Sequence, residues 1–272
     1  MSQSRNPGSS GYDGFIMQSL PRSGTSFILD YTNGTGAFGH AEEYLNQNVI
    51  AFSDATTADE HFEMAMNQAF GTANLFSMKI FPRQLVECVD HHGYDFIQRC
   101  TSEYSVQFVR LRRKDTIARA VSFYKALQDK RWATDRGGET IEIPYDFKKI
   151  YRAWISLIKA EAFWDTYNSM HQIEPIEFTY EELESEPSKF MHEMCSIFNV
   201  EPNGVKLLRK LKKQRDERSA EFCERFRREL SLDEFRDQFV DNRNQTVELR
   251  KAPRTWSNLF RLLAQKPLKV RL

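Results

Sequence analysis

Two rhythms of apolar residues run along the chain. Short, nearly unbroken runs occur at Phe15–Leu20, Leu75–Ile80, Ser105–Leu111 and Ile176–Tyr180. Runs of that length, stopped by Pro21 in the first case and Phe81-Pro82 in the second, read as strands buried within a sheet. Between them the period changes to that of a helix. Phe62, Ala65, Met66, Ala69 and Phe70 predict a helix over 59–70, and Ile117, Ala120, Val121 and Tyr124 predict another. Tyr151, Trp154, Ile155, Ile158 and Ala162 mark a long amphipathic helix whose aromatic face reads as core. Thr25–Tyr31 reads as a helix ending near Gly34 and Gly36, and a further one spans about 188–198. From Val205 to Leu232 the chain reads as helical and highly charged, with a short helix around Trp256–Leu263 beyond it. Strands alternating with helices predict an α/β fold, a central parallel sheet flanked by helices, with a helical, basic C-terminal part.

Composition sets the boundaries. The 272 residues include 21 Phe and 10 Tyr, enough for one large core, here assigned to residues 15–232. Residues 1–14 are rich in Ser, Gly and Asn and read as a disordered lead-in, while 233–272 form a basic extension. No apolar run approaches the length of a membrane span. Cys88, Cys100, Cys195 and Cys223 have no CxxC spacing, which suits reduced thiols of a cytoplasmic protein. Charge is balanced overall but uneven: Lys206–Leu272 holds 19 basic and 10 acidic residues, the preceding chain 19 and 28. That asymmetry fits either an anionic partner or a solvated helix face.

The first strand runs into Pro21-Arg22-Ser23-Gly24-Thr25-Ser26 and then a helix. A tight turn into a helix N-terminus points backbone N–H groups at an anion. Gly24 permits close approach, Arg22 adds charge, and Ser23, Thr25 and Ser26 add hydroxyls. This is P-loop-like rather than a Walker A loop, which requires a Gly at position 19 and a Lys at 25. A second basic element, Arg112-Arg113-Lys114-Asp115, ends the third strand, and Ser122 lies on the following helix. His91-His92 is the only close His pair and no metal motif is present, so no metal is expected.

Pro21-Arg22-Ser23-Gly24-Thr25 together with Arg113-x-Asp115-x₄-Ala120-Val121-Ser122 resembles the sulfotransferases, above all the bacterial branch typified by trehalose sulfotransferase and by enzymes that sulfate lipopolysaccharide or nodulation factors. The resemblance implies 3′-phosphoadenosine 5′-phosphosulfate as sulfuryl donor. Arg22, Ser23, Gly24, Thr25 and Ser26 would then line its 5′-phosphosulfate, and Arg113 and Ser122 its 3′-phosphate. Gly39-His40-Ala41-Glu42-Glu43-Tyr44 is similar to a Gly-x-Pro-x-Glu-aromatic segment whose Glu serves as general base, which assigns that role to Glu43, with Ala41 in place of the Pro. Glu42 stays open as the alternative base. Lys79 matches a Lys-containing strand and would stabilise leaving-group charge. Lys213 and Gln214, with Phe222 and Arg225 beyond, resemble a segment that closes over the nucleotide.

The expected acceptor is a hydroxyl of a carbohydrate or glycolipid, with Trp132 as a candidate for stacking on a sugar, and no nucleic-acid partner is expected. The rival readings are a non-catalytic nucleotide- or glycan-binding module and a kinase, the latter weakened by the missing Walker Lys. In the tail, Trp256, Leu259, Phe260 and Leu263 form one apolar stripe among Arg254, Arg261, Lys266, Lys269 and Arg271. Such a helix can lie on an anionic membrane, dock on its own domain, or join two copies of the chain.

Overall fold

The computed structural model describes residues 11–55, 57–129, 142–186, 188–201 and 217–230. Trp132, Lys213, Gln214 and the tail from 231 onward lie outside the described residues. In chain order the elements are β1 (Gly14–Gln18), α1 (Thr25–Thr35), a 3₁₀ turn at Phe52–Asp54, α2 (Ala58–Phe70), β2 (Phe76–Ile80), α3 (Pro82–His92) and α4 (Phe96–Glu103). Then come β3 (Val106–Arg112), α5 (Thr116–Asp129), α6 (Phe147–His171), β4 (Ile176–Thr179), α7 (Tyr180–Ser185), α8 (Lys189–Phe198) and α9 (Glu217–Glu229).

The described residues fall into two compact units. The first comprises 11–114 and 164–201, and the second comprises 115–129, 142–163 and 217–230. The first holds a four-stranded sheet in the order β2-β1-β3-β4, parallel throughout. Phe15, Met17, Val109, Leu111 and Phe178 pack from one sheet face against Phe27, Ile28 and Tyr31 of α1 and Phe190, Met191, Met194 and Phe198 of α8. Elsewhere in this unit Phe76 meets Phe70 and Tyr104, and Phe62 of α2 meets Phe96 of α4. Two of the polar contacts buried there are specific. Gln18 and Asn168 exchange amide hydrogen bonds of 2.7 Å in both directions, and Trp164 Nε1 donates to Ser19 O at 3.1 Å.

In the second unit Val121 and Tyr124 of α5, Ile150 and Ala153 of α6, and Phe222 and Phe226 of α9 form one cluster. Tyr151 and Trp154 are half-buried against it and Ile155 is buried, in line with the aromatic face expected there. Arg119, itself buried, pairs with Glu161 at 3.0 Å.

Two local expectations need correction. Pro82 does not simply end a strand but opens α3, where its missing N–H has no partner to lose. Tyr180 does not belong to β4. Thr179 accepts from Glu182 N at 3.3 Å and donates its own N–H to Glu182 Oε2 at 2.9 Å, a capping box that starts α7 at Tyr180.

Candidate active site

β1 pairs with β2 on one side and β3 on the other, so the chain reverses its direction of growth across the sheet at β1. Ligands of open parallel sheets bind beyond the carboxyl ends of strands at such a switch point. The segment leaving β1 is bolted to both neighbours: Ser19 N donates to Ile80 O at 3.3 Å and Ser19 Oγ to Leu111 O at 3.1 Å. Arg22 (φ 65°) and Gly24 (φ 85°) both take the left-handed conformation. The chain turns on them into α1, where Gly24 O accepts from Phe27 N and Ile28 N. The N–H groups of Gly24, Thr25 and Ser26 have no acceptor within the helix, the arrangement an anion needs. Ser23 is fully buried, yet its Oγ has no hydrogen-bond partner among the described residues. A buried orphan hydroxyl costs about 1–3 kcal/mol, a penalty that a bound oxyanion would remove.

The other strand ends complete this edge. Arg113, just past β3, donates from Nη1 to Arg22 O at 3.0 Å and so props the left-handed turn. Its guanidinium lies 4.6 Å above the ring of Tyr180, just past β4. That ring also abuts Gly24: a Cβ added there would stand 2.8 Å from Tyr180 Cδ2. From β2, Lys79 is only 3% exposed and reaches Thr25 Oγ1 at 3.3 Å and Glu43 Oε1 at 2.5 Å, with Nζ 4.9 Å from the Phe81 ring centre.

Glu43 is presented by a tightly fixed loop. At Gly39 (φ 65°) a Cβ would come within 2.1 Å of Ala69 O, so only glycine fits. His40 N donates to Ala69 O at 3.2 Å. Tyr44 Oη donates to His40 O at 2.6 Å and approaches Gln68 O at 3.2 Å, and burial pushes its phenol up to about 12. Asn33 of α1 grips Ala41 on both sides, accepting from its N–H at 2.6 Å and donating to its carbonyl at 3.2 Å. Glu42 is stitched to β2, its carbonyl accepting from Lys79 N at 3.0 Å, and its carboxylate folds back on Glu43 N at 2.9 Å. Of the two neighbouring acids, Glu43 is the one whose carboxylate reaches Lys79.

The Stf0 sulphotransferase family model matches residues 14–229. The chain belongs to the Stf0 sulphotransferase family. Membership implies sulfuryl transfer, and the matched span includes the Arg22–Ser26 turn, the Glu43 loop, Lys79 and Arg113. No curated protein matches this Stf0 sulphotransferase closely enough to stand beside it.

In this Stf0 sulphotransferase the structure brings Arg22, Ser23, Gly24, Thr25, Lys79, Glu43 and Arg113 to one edge of the sheet in the first unit, with Ser26 exposed on the first turn of α1. Ser122 lies on α5 and belongs to the second unit. There, too, Phe222 is buried edge-on to Tyr145, and Arg225 stacks on Tyr145 and pairs with Glu229. No group of three or more His, Cys, Asp or Glu side chains suited to a metal ion occurs among the described residues. None of the described helices is long and apolar enough to cross a membrane. Sequence reasoning missed three residues around the site: Tyr180, and Gln84 and Asn46, whose amides donate to Glu43 Oε2 at 2.7 Å and 3.1 Å. Gln84 had a signal, the Phe81-Pro82-x-Gln84 pattern of a helix start. Asn46 and Tyr180 had none.

Proposed function

We propose that this Stf0 sulphotransferase moves a sulfuryl group from 3′-phosphoadenosine 5′-phosphosulfate to a hydroxyl of a carbohydrate or glycolipid by in-line displacement. The observation that carries the reading is Lys79, whose ammonium touches both Thr25 of the phosphate loop and Glu43. One cation thus links the place where an anion would sit to a carboxylate able to take a proton. Bound there, the donor supplies an activated sulfur whose bond to the nucleotide phosphate oxygen breaks as the acceptor oxygen bonds to it.

Glu43 takes the proton of the acceptor hydroxyl, a role that typically contributes about 10²–10⁴-fold. Lys79 has three N–H groups; Thr25 and Glu43 engage two, and the third would serve the departing phosphate oxygen. Arg22 and the N–H groups of the turn add to that stabilisation, each such donor being worth about 10²–10³-fold in rate. The 3′-phosphate falls to Arg113, with Ser122 assigned by its place in the sequence pattern. The acceptor class rests on the sequence resemblance.

Calorimetric titration with 3′-phosphoadenosine 5′-phosphate and with ATP, followed by transfer of labelled sulfate to a panel of hydroxylated glycans, tests the proposal. The bisphosphate should bind at least tenfold tighter than ATP, and label should appear in a glycan. Equal binding of the two nucleotides, with no label in any glycan, would overturn it.

A further inference from the structure

Three side chains hold the Glu43 carboxylate, and they divide its two oxygens unequally. Oε2 accepts from Gln84 Nε2 at 2.7 Å and from Asn46 Nδ2 at 3.1 Å. Oε1 meets only Lys79 Nζ among the described residues. Each carboxylate oxygen offers about two lone-pair sites, so Oε2 is filled and Oε1 keeps one site open beside the ammonium that reaches the phosphate loop.

Neither amide is free to turn. An Asn or Gln presents nitrogen or oxygen according to its other partners. Gln84 Oε1 accepts from Phe81 N at 2.8 Å, at the first turn of α3, which forces its NH₂ toward Glu43. Asn46 Oδ1 accepts from Asn48 N at 3.0 Å and from Asn48 Nδ2 at 3.1 Å, which forces its NH₂ the same way. Gln84 is itself buried.

We infer that Gln84 and Asn46 are positioning residues that saturate Glu43 Oε2 and so reserve Oε1 as the atom that accepts the proton from the acceptor hydroxyl. The inference rests on the reading of Glu43 as the base and goes beyond it by naming the accepting atom and the groups that select it. The carboxylate cannot rotate without giving up two amide hydrogen bonds, so its proton-accepting site is fixed before any acceptor arrives.

Gln84→Glu isolates this role. Its carboxylate can still accept from Phe81 N and keep the start of α3, but it replaces an N–H donor against Oε2 with a second negative charge. Two carboxylates sharing a site cannot both ionise readily. The full-length chain is compared as wild type, E43Q, Q84E and Q84M. One assay is the pH profile of labelled sulfate transfer from 3′-phosphoadenosine 5′-phosphosulfate to a pooled probe of trehalose and glucose- and galactose-terminated glycans. The other is the NMR titration of the Glu43 side-chain carboxyl carbon, which needs no acceptor. In Q84E the two carboxylates should titrate as a coupled pair whose upper step, seen in both the acid limb of kcat/KM and the Glu43 carboxyl signal, lies higher in pH by about one unit or more. Donor affinity should change less than threefold and Tm by no more than a few degrees. In Q84M kcat should fall about tenfold with donor affinity kept. An unmoved Glu43 titration in Q84E overturns the inference even if no probe glycan is turned over. If E43Q is inactive while both Gln84 variants keep the wild-type rate and acid limb, the positioning role fails and the base survives. If E43Q stays active, it is the reading of Glu43 as base that fails.

Discussion

His61 makes the first unit sensitive to acid, by an amount that can be worked out. It sits on α2 with no exposed surface, its Nδ1 2.8 Å from Tyr94 Oη and its ring stacked on His92 at 4.3 Å. Burial, and secondarily the charge of His92, lowers its pKa from the usual 6.5 to about 4. The unfolded chain therefore takes up a proton near pH 6.5 that the folded chain refuses until near pH 4. Stability is complete above pH 6.5 and is lost as the pH falls through that window. A shift of this size is worth about 2 kcal/mol by pH 5 and about 3 kcal/mol below pH 4. The loss reaches the site, because the Gln68 and Ala69 carbonyls at the end of α2 hold Tyr44 and His40 in the Glu43 loop. Urea denaturation of the wild type and His61→Phe at pH 7.5 and pH 5 is the assay. Phe keeps a flat ring against His92 but cannot ionise, and His92 and Asp95 are common to both chains. The wild type should lose about 2 kcal/mol more than the variant between those pH values. Equal losses, or a His61 ring that titrates near 6.5 by NMR, would refute the reasoning.

Gly24→Ala places a Cβ at φ 85° and 2.8 Å from the Tyr180 ring. It should cost about 1–2 kcal/mol in stability and weaken binding of 3′-phosphoadenosine 5′-phosphate at least tenfold, checked by thermal melts with and without the nucleotide. Arg113→Ala removes both the proposed 3′-phosphate ligand and the prop under Arg22 O. By calorimetry, binding of the bisphosphate should fall about tenfold to a hundredfold, the effect of losing one charged hydrogen bond of about 1.5–3 kcal/mol, and adenosine 5′-phosphosulfate should lose less. An equal loss for both nucleotides would leave Arg113 as a prop alone.

What the sequence revealed and what it hid follow from how local each signal is. The four strands and the helix after the Arg22–Gly24 turn were visible because burial on both faces, or on one stripe, writes a period into consecutive residues. Arg22 and Arg113 could be named because each follows the end of such a strand in a basic run, whereas Lys79 and Glu43 were named through the family resemblance of their segments. α3 was missed because Pro82 stops a strand and starts a helix with equal ease, and its apolar residues Leu85, Val86 and Cys88 span less than two turns. Tyr180 was missed for a different reason. It matters through a ring that meets Gly24, more than 150 positions earlier in the chain, and Arg113, and no spacing within a sequence encodes a contact of that kind. Which of Glu42 and Glu43 reaches Lys79 was hidden as well, because it depends on the Glu42 carboxylate folding back on the Glu43 N–H, a matter of tertiary geometry.

The grip of Asn33 on Ala41 makes each of the two positions depend on the other. The family segment that Gly39–Tyr44 resembles has a proline where this chain has Ala41, and proline has no N–H to give. Restoring it here would strand Asn33 Oδ1 beside a loop it now fastens at 2.6 Å. The familiar residue would thus be the harmful one in this background, unless position 33 changed with it. A lineage crossing between the two solutions must pass through a weakened Glu43 loop or alter both sites together. Anyone building a consensus enzyme from this family faces the same constraint and must graft positions 33 and 41 as a pair.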